Sequence, residues 1–379
     1  MSPTPPSGEF DLKRLLTTVF RPQQGEKVGV FIDLDDPNWV REFAFLREPG
    51  HEIQRLAYEI FYRELRDNAA AYPFGGVSFF AYEKTGGSNL DLPPVVYTPD
   101  KRELALQKVL YGLDIVLYIT TYSATAPLTA LARRLAFRGA TMHGLNEIIL
   151  RSGLTRDYEE VSAQAERLRQ ALTEADSYDI EFDVSGRPCR LHLELGGQEA
   201  QKSHGLCWTT GEIANLPAGE IYYVPTDAAG EFPMVYEGGT VGIAHVHRNR
   251  IGRIELLAGE ARVIAAHAAR LADDPVIGEL GELGLGTQVL PWSGRDIQDE
   301  KVLGTVHVAT GRSDHLGGSL SPDKFKSPLN ASHDDILFAP HKTPQVDLVR
   351  VTMRKQGRET VLIEHYQPTA FVKQTMGLS

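Results

Sequence analysis

Runs of apolar residues alternate with amphipathic stripes through the first half of the chain. Lys27–Leu34 and Asp114–Thr120 are short, apolar and rich in β-branched residues, as buried strands are. Between them, Glu52–Arg66 places apolar side chains three and four residues apart, which predicts a helix with one apolar face. A short amphipathic helix is also predicted for Phe10–Phe20. Strands that alternate with helices predict an α/β layer built on a parallel sheet.

The segment after the second strand continues this alternation. A helix is predicted from Pro127 to about Phe137, because proline is well tolerated in the first turn of a helix. Gly139 is predicted to stop that helix, and the next parallel strand is predicted to begin within Thr141–His143. Asp157–Ala175 carries apolar residues at helical spacing behind a capping-box pattern. We expect this last helix to close the first domain.

The pattern changes near residue 178, where short strands and glycine-containing turns replace the strand–helix alternation. Tyr178–Val184 and Cys189–Leu195 alternate apolar and polar residues around Ser185–Pro188, which predicts a β-hairpin. One predicted helix, Glu260–Ala272, interrupts the later strands. The sequence therefore predicts a parallel-sheet α/β domain over residues 1–178 and a β-rich α+β domain over residues 179–379. The other strands are predicted at Glu220–Val224, Thr240–His247, Arg253–Leu257, Thr305–Thr310, Val346–Met353 and Arg358–Glu364.

Composition narrows the classes of function. The formal net charge of -11 and the lack of a basic run argue against nucleic-acid binding, since phosphate recognition needs clustered Lys and Arg. Cys189 and Cys207 are too few for a disulfide framework or a cysteine-rich zinc site, and we expect two buried thiols. No run approaches the roughly 20 apolar residues of a membrane span. Met1–Glu9 lacks the apolar core of a signal peptide, so we expect a cytoplasmic protein.

Four short segments of the second half place metal-binding residue types beside turn residues. Glycine next to a polar ligand lets the backbone approach a site closely. His307 lies within an apolar, strand-like run. His333 and Asp335 are two residues apart, so an extended segment directs both side chains to one face. The segments are Asn215–Glu220, Gly281–Gly286, Gly304–Gly311 and Ser332–Asp335.

The residue types in these segments suit a divalent metal. Carboxylates and imidazoles without sulfur bind Zn, Mn, Co or Fe. Two glutamates, two histidines and one aspartate have the composition of a two-metal hydrolytic site. Glu220 also has an interpretation as a solvated turn carboxylate, and His307 as a hydrogen-bonded core histidine. Glu282 fits a metal ligand and an ordinary loop carboxylate equally well. His333 paired with Asp335 favours a site, because an apolar core gains nothing from two such polar side chains.

Taken in order, the four segments resemble the aminopeptidase T (thermophilic leucyl aminopeptidase) family of metallopeptidases. The resemblance runs from about residue 105 to the C-terminus and includes Asp114–Glu147 with its Thr-Tyr-Ser loop. It implies an N-terminal α/β domain, a C-terminal β-rich domain with two metal ions (Zn, Mn or Co), and a homodimer. The implied activity is removal of N-terminal residues from peptides by metal-activated water. The implied metal ligands are Glu220, Glu282, His307, His333 and Asp335.

The resemblance also implies catalytic roles and contains one departure. Glu282 is expected to handle the proton or to bridge the metal ions. The peptidases have a tyrosine seven residues after the histidine that corresponds to His307, and this chain has Asp314 there. An aspartate can bind metal, but it has no phenol to offer a developing oxyanion. Asp314 is therefore a second candidate catalytic residue, and the departure bears on peptidase activity more than on metal binding.

Two other functions stay open. The resemblance extends to ring-cleaving dioxygenases of dihydroxypyridine, which use one non-haem Fe(II). His307, His333 and Asp335 provide the two-histidine, one-carboxylate set of such a site. A one-iron site does not need Glu220 or Glu282, so the two glutamates favour the hydrolase. The third interpretation is a relative that binds metal without peptidase activity. In each case the expected substrate is a small peptide or another small molecule.

Overall fold

The computed structural model of the chain describes residues 8–378. They divide into two compact units. The first unit comprises the described residues up to Ser162 together with His204–Ala218, and the second comprises Ala163–Ser203 and the described residues from Gly219 onward. The chain therefore leaves the first unit within a helix, returns to it for one short segment, and leaves it again.

Strands and helices alternate along most of the first unit. Its helices are α1 (Leu12–Phe20), α2 (Glu52–Leu56), α3 (Arg63–Asp67), α4 (Leu106–Tyr111), α5 (Thr125–Leu135) and α6 (Glu147–Arg151), and α7 (Tyr158–Leu172) begins there and ends in the second unit. Its strands are β1 (Lys27–Leu34), β2 (Gly76–Glu83), β3 (Val95–Tyr97), β4 (Glu103–Ala105), β5 (Ile115–Tyr118), β6 (Arg138–Thr141) and β10 (Ile213–Asn215). π-Helical turns at Ala57–Tyr62 join α2 to α3, so the predicted helix over this segment is confirmed.

These strands form one sheet in the order β10-β6-β5-β1-β2-β3-β4. The pairings from β10 to β2 are parallel, and the two at the β4 edge are antiparallel. Neighbouring strands are joined by stacked aromatic rings, because Phe31 lies 4.9 Å from Phe80 and 4.4 Å from Tyr118 between ring centroids. The predicted parallel α/β layer is confirmed.

The structure corrects the predicted role of Gly139. α5 begins at Thr125 rather than at Pro127, and Ala136 ends it in the left-handed conformation with φ of 61°. Gly139 instead lies inside β6, where a Cβ would come within 2.4 Å of Cγ2 of Val116 on β5. Glycine is required there by the close approach of two strands, and a glycine near the end of a helical pattern does not distinguish that requirement from a helix stop.

The second unit is dominated by antiparallel strands. They are β7 (Ser177–Val184), β8 (Arg187–Glu194), β9 (Gln201–Ser203), β11 (Glu220–Tyr223), β12 (Asp227–Val235), β13 (Val241–His247), β14 (Arg250–Ala258), β15 (Leu280–Gly286), β16 (Val306–Gly311), β17 (His333–Phe338), β18 (Val346–Lys355), β19 (Arg358–Glu364) and β20 (Gln367–Pro368). The helices are the end of α7, α8 (Ala261–Asp273), α9 (Asp296–Asp299) and α10 (Ala370–Met376).

Two antiparallel sheets of this unit share one hydrophobic core. The eight-stranded sheet has the order β14-β13-β12-β8-β7-β18-β19-β20, and the five-stranded sheet has the order β17-β16-β15-β11-β9. Aromatic rings from the two sheets meet between them, with centroids 4.5 Å apart for Phe182 and Phe338 and 5.5 Å apart for Tyr178 and Tyr223. The predicted fold class, a parallel-sheet α/β part followed by a β-rich part, is confirmed.

Candidate metal centre

The five-stranded sheet turns one face to the core and presents polar side chains on the other. Leu283 and Leu285 on β15, and Val306 and Val308 on β16, belong to the hydrophobic core. Because successive residues of a strand point to opposite faces, the residues between them project from the other face. The candidate ligands that project there are Glu220 (β11), Glu282 (β15), His307 (β16), and His333 and Asp335 (β17).

Gly284 makes room for the imidazole of His307. The two residues pair across the β15–β16 ladder. A Cβ at Gly284 would lie 2.1 Å from Cε1 and 2.3 Å from Nε2 of the ring, so the imidazole lies directly over the glycine. Any larger residue at this position would occupy the space of the ring.

A backbone hydrogen bond orients His333. Its Nδ1 lies 2.6 Å from the carbonyl oxygen of Arg312, and since a carbonyl oxygen only accepts, Nδ1 carries the proton. Nε2 faces two carboxylates, 2.9 Å from Oε2 of Glu282 and 3.3 Å from Oδ1 of Asp335. Burial would lower the pKa of His333, but these carboxylates outweigh burial and raise it well above its usual range. A histidine held through one nitrogen while the other meets carboxylates has the arrangement of a metal ligand.

His307 is surrounded by acidic groups. Its Nε2 lies 3.6 Å from Oε1 of Glu282, 3.7 Å from Oε2 of Glu220 and 4.0 Å from Oδ1 of Asp335. Burial opposes a charge on the ring, but the carboxylates, Glu282 foremost, raise the pKa of His307 to about 9. His307 Nδ1 and Glu220 Oε2 are buried and have no hydrogen-bond partner among the described residues. Buried polar atoms normally have a partner, so Oε2 of Glu220, which faces His307 Nε2 at 3.7 Å, fits a site that takes a further ligand such as a cation.

The two central acids are held in their charged form. Burial by itself would raise the pKa of Glu282, but the hydrogen bonds and charges of His307 and His333 together hold it well below its usual range. The pKa of Asp335 is also lowered, because the charges of the same two histidines outweigh burial. Both residues therefore offer carboxylate oxygens rather than neutral acids to a cation.

The separations of the donor atoms fit a divalent ion. Atoms bound at about 2.1 Å to one ion lie roughly 3.0 Å apart when adjacent and roughly 4.2 Å apart when opposite. The separations around the two histidines run from 2.9 to 4.0 Å. Three groups bring one donor atom from each member within 4.8 Å of one another: Glu220, Glu282 and His307; Glu282, His333 and Asp335; and Glu300, His307 and Asp335.

The centre also contains Glu300 and Lys301, which the sequence reasoning missed. Lys301 Nζ lies 2.6 Å from Oε1 of Glu220 and 2.6 Å from Oε1 of Glu300, and the lysine side chain is only 1% exposed. Burial would lower the pKa of Lys301, but the two carboxylates outweigh burial and raise it. Burial raises the pKa of Glu300 to about 8, against the opposing charge of Lys301.

Gly286 positions the loop that carries these two residues. It pairs with Glu220 across the β11–β15 ladder. A Cβ at Gly286 would lie 2.2 Å from the carbonyl oxygen of Val302 and 2.7 Å from that of Glu300. The loop before β16 therefore lies directly on the polar face of β15. The sequence offered only the adjacent Glu-Lys pair before Gly304-Thr-Val-His307, and such a pair ordinarily lies in a solvated loop.

Asp314 lies beside this cluster but outside the three groups of candidate ligands. It begins a short 3₁₀ helix, Asp314–Leu316, and accepts hydrogen bonds at 2.7 and 3.3 Å from the guanidinium of Arg312. The next residue, His315, was also missed: its ring lies 5.0 Å from that of His333 in an edge-to-face contact. Burial lowers the pKa of His315, which favours the uncharged imidazole.

The structure thus brings all five predicted ligands to one face of one sheet. Glu220, Glu282, His307 and His333 are buried, whereas the side chain of Asp335 is 29% exposed. The interpretations of Glu220 as a solvated turn carboxylate and of His307 as a satisfied core histidine do not fit these positions. The predicted catalytic role of Asp314 stays a prediction.

Comparison with known proteins supports the fold and leaves the family open. The chain is similar in structure to 2,5-dihydroxypyridine dioxygenase from Pseudomonas putida KT2440, with a TM-score of 0.62 and 14% sequence identity. The match covers 94% of this chain and 96% of the dioxygenase, so the two proteins share a fold over nearly their whole lengths. No protein-family model and no curated protein matches the sequence. The resemblance to aminopeptidase T therefore rests on the sequence motifs alone.

Two further features of the chain are its cysteines and the length of its apolar helices. Cys189 and Cys207 are free and buried, as expected. Within residues 8–378, no helix is both long enough and apolar enough to cross a membrane.

Proposed function

We propose that the chain is a metal-dependent dioxygenase that opens the ring of a small dihydroxylated aromatic compound. His307, His333 and Asp335 would hold one ferrous ion, and they form the two-histidine, one-carboxylate set used by non-haem iron oxygenases. This set lies on two adjacent strands of a fold shared over nearly its whole length with a dioxygenase whose substrate is 2,5-dihydroxypyridine. That coincidence of donor set and fold is the observation that carries the proposal.

The positions of His333 and Glu282 support a role for each of them in the proposed centre. When bound, the ion would supply the activation of dioxygen and an attachment point for the oxygens of the substrate ring. The Arg312 carbonyl keeps the proton of His333 on Nδ1, which leaves Nε2 free to bind. Glu282 lies between the two imidazoles and balances charge. Since the pKa of Glu282 is depressed, its carboxylate is a weak base, and orientation suits it better than proton transfer.

A two-metal hydrolase is the second candidate, and one observation favours it. Two of the three ligand groups share Glu282, as two ions joined by a bridging carboxylate would require. Oε2 of Glu220 is also buried without a hydrogen-bond partner among the described residues. Such a centre would use Zn, Mn or Co and activate water against a peptide bond. Asp314 provides no phenol for the oxyanion in that reaction.

Metal content and two activity assays distinguish these candidates. Protein purified without chelator is analysed for bound metals, reconstituted anaerobically with ferrous iron, and tested for oxygen uptake with 2,5-dihydroxypyridine. The dioxygenase is expected to hold about one iron per chain and to place both atoms of ¹⁸O₂ in the product. Asp335→Asn should abolish uptake and lower iron affinity by more than about tenfold. Asp334→Asn, which changes the exposed neighbour on the same strand, should leave both unchanged.

A different metal content and activity would reject the dioxygenase. About two Zn, Mn or Co ions per chain, with hydrolysis of an aminoacyl p-nitroanilide that is lost in Glu220→Ala and Glu282→Ala, would reject the dioxygenase and support the peptidase. Metal that binds at the predicted residues without turnover of either substrate class would instead indicate a protein that has kept the site and changed its role.

A further inference from the structure

Lys301 carries a positive charge into the middle of the candidate ligands. Its ammonium bridges Glu220 and Glu300 at 2.6 Å to each, and both carboxylates are buried, with side chains 8% and 6% exposed. An ammonium has three donors and no lone pair, so while charged it does not bind metal but competes with metal for carboxylate oxygens. Glu220 is thereby engaged by a cation that belongs to the chain itself.

The backbone around Lys301 is fixed on both sides. The Lys301 N–H donates to the carbonyl of Gln298 at 2.9 Å, and the Lys301 carbonyl accepts from the N–H of Gln288 at 2.7 Å. The hydroxyl of Thr305 donates to the carbonyl oxygens of Glu300, at 3.1 Å, and Val302, at 2.7 Å. The loop therefore holds the ammonium in place rather than allowing it to move away into solvent.

Glu220 and Glu300 are the acids that a second metal ion would need. Glu220 belongs to the group with Glu282 and His307, and Glu300 to the group with His307 and Asp335. The third group, Glu282, His333 and Asp335, has no contact with Lys301 among the ion pairs of the described residues. The lysine thus engages Glu220 and Glu300 and forms no ion pair with Asp335 in the described part of the chain, which leaves His307, His333 and Asp335 available to a single ion.

We propose that the ammonium of Lys301 takes the place of a second metal ion, so that the centre binds one divalent ion rather than two. A divalent ion next to Glu220 would meet the lysine charge at short range inside the protein, where such repulsion is poorly screened. The inference rests on the proposed function in that the centre binds metal, and it deepens that function by giving the reason why one ion is bound. It concerns the number of ions, whatever reaction follows.

Counting metal in a lysine variant tests this inference directly. Wild-type protein, Lys301→Met and Lys342→Met are loaded with Mn²⁺, desalted and analysed for metal per chain by mass spectrometry. Methionine has a similar length and no charge, and Lys342 is a matched control because it pairs with Asp296 near the same loop but is partly exposed. We expect one ion in the wild type and the control and two ions in Lys301→Met, with the spin-coupled electron paramagnetic resonance signal of a manganese pair.

A second variant links the gained ion to its ligand. The double variant Lys301→Met, Glu220→Gln should return to one ion per chain, because the second ion requires the freed carboxylate of Glu220. A folded Lys301→Met protein that still binds one ion would overturn the inference. If that variant does not fold, the wild type still decides: two ions per chain, or loss of an ion in Glu220→Gln, would also overturn it. Failure of the oxygen-uptake assay would reject the dioxygenase and leave these counts intact.

Discussion

Replacing Gly284 with alanine should remove His307 from the centre while leaving every polar group in the sequence. The added Cβ would begin 2.1 Å from Cε1 of the imidazole. Carbon atoms in contact normally lie about 3.5 Å or more apart, so the ring must move by roughly 1.4 Å. The strand cannot easily yield, because β15 is paired on both sides, with β11 and β16. The displacement therefore falls mainly on the imidazole.

The expected magnitude follows from what the imidazole does. Loss of a group behind a metal ligand costs 10–100-fold in affinity, and displacement of the ligand itself should cost at least about 100-fold, or roughly 2.8 kcal/mol. Overpacking should also lower the free energy of unfolding of the metal-free protein by about 1–3 kcal/mol. Metal affinity is measured by competition with a chromophoric chelator, and stability by urea unfolding.

Gly252→Ala is the matched control for this substitution. Gly252 also lies in an antiparallel strand of the second unit, and a Cβ there would have no heavy atom within 4 Å. The control should bind metal as the wild type does. If Gly284→Ala folded and bound metal within about twofold of the wild type, the assignment of His307 as a ligand that needs the space above Gly284 would be refuted.

Three further predictions concern stability, loop position and metal removal. Asp179→Asn should lower the free energy of unfolding by about 2–3 kcal/mol at pH 5, because this buried carboxylate, 3% exposed, pairs with Arg190 and His192. Glu359→Gln is the control: its exposed side chain pairs with Arg354, and the substitution should cost under about 0.5 kcal/mol. Burial would raise the pKa of Asp179, but Arg190 and His192 outweigh burial and lower it. The charged side chain therefore stabilises the fold fully above its unfolded pKa of about 3.9. The loss of stability caused by Asp179→Asn, measured by urea unfolding, should shrink as pH falls through the folded pKa. Gly286→Ala should lift the loop before β16 off the sheet, and limited proteolysis should then cut within residues 287–304 faster than in the wild type. Chelation should lower the melting temperature, and metal restored at 100 times its Kd should raise the free energy of unfolding by about 2.7 kcal/mol. A melting temperature that chelation leaves unchanged would argue against metal at the buried acids.

The sequence predicted the strands and helices best where packing depends on a local pattern. β1, Lys27–Leu34, was predicted with its observed bounds, and β7, β8 and α8 nearly so, because each has a continuous apolar run or a clear period. The sheet order was not predictable in the same way. β10 is three residues long and joins a sheet whose other strands lie far earlier in the chain. Nothing in Ile213–Asn215 indicates that partner.

The sequence likewise predicted some residues of the candidate site and missed others. Glycine-flanked acids and histidines pointed to the five candidate ligands, because short motifs keep the chemistry and the turn residues together. Lys301 and Glu300 escaped because a Glu-Lys pair ordinarily marks a solvated loop. Their burial follows from the absence of a side chain at Gly286, which lies a full loop earlier in the sequence. Contacts of that range depend on the folded backbone rather than on local spacing.

The late position of β10 bears on how the protein is synthesised. Until residues 213–215 leave the ribosome, the outer edge of β6 has no strand to pair with, although β1 to β6 are already complete. An unpaired sheet edge is a template for association with another chain. The first sheet can therefore be finished only after β7, β8 and β9 have been synthesised. A fragment that ends near residue 178 would carry that open edge permanently and should aggregate more readily than the full chain.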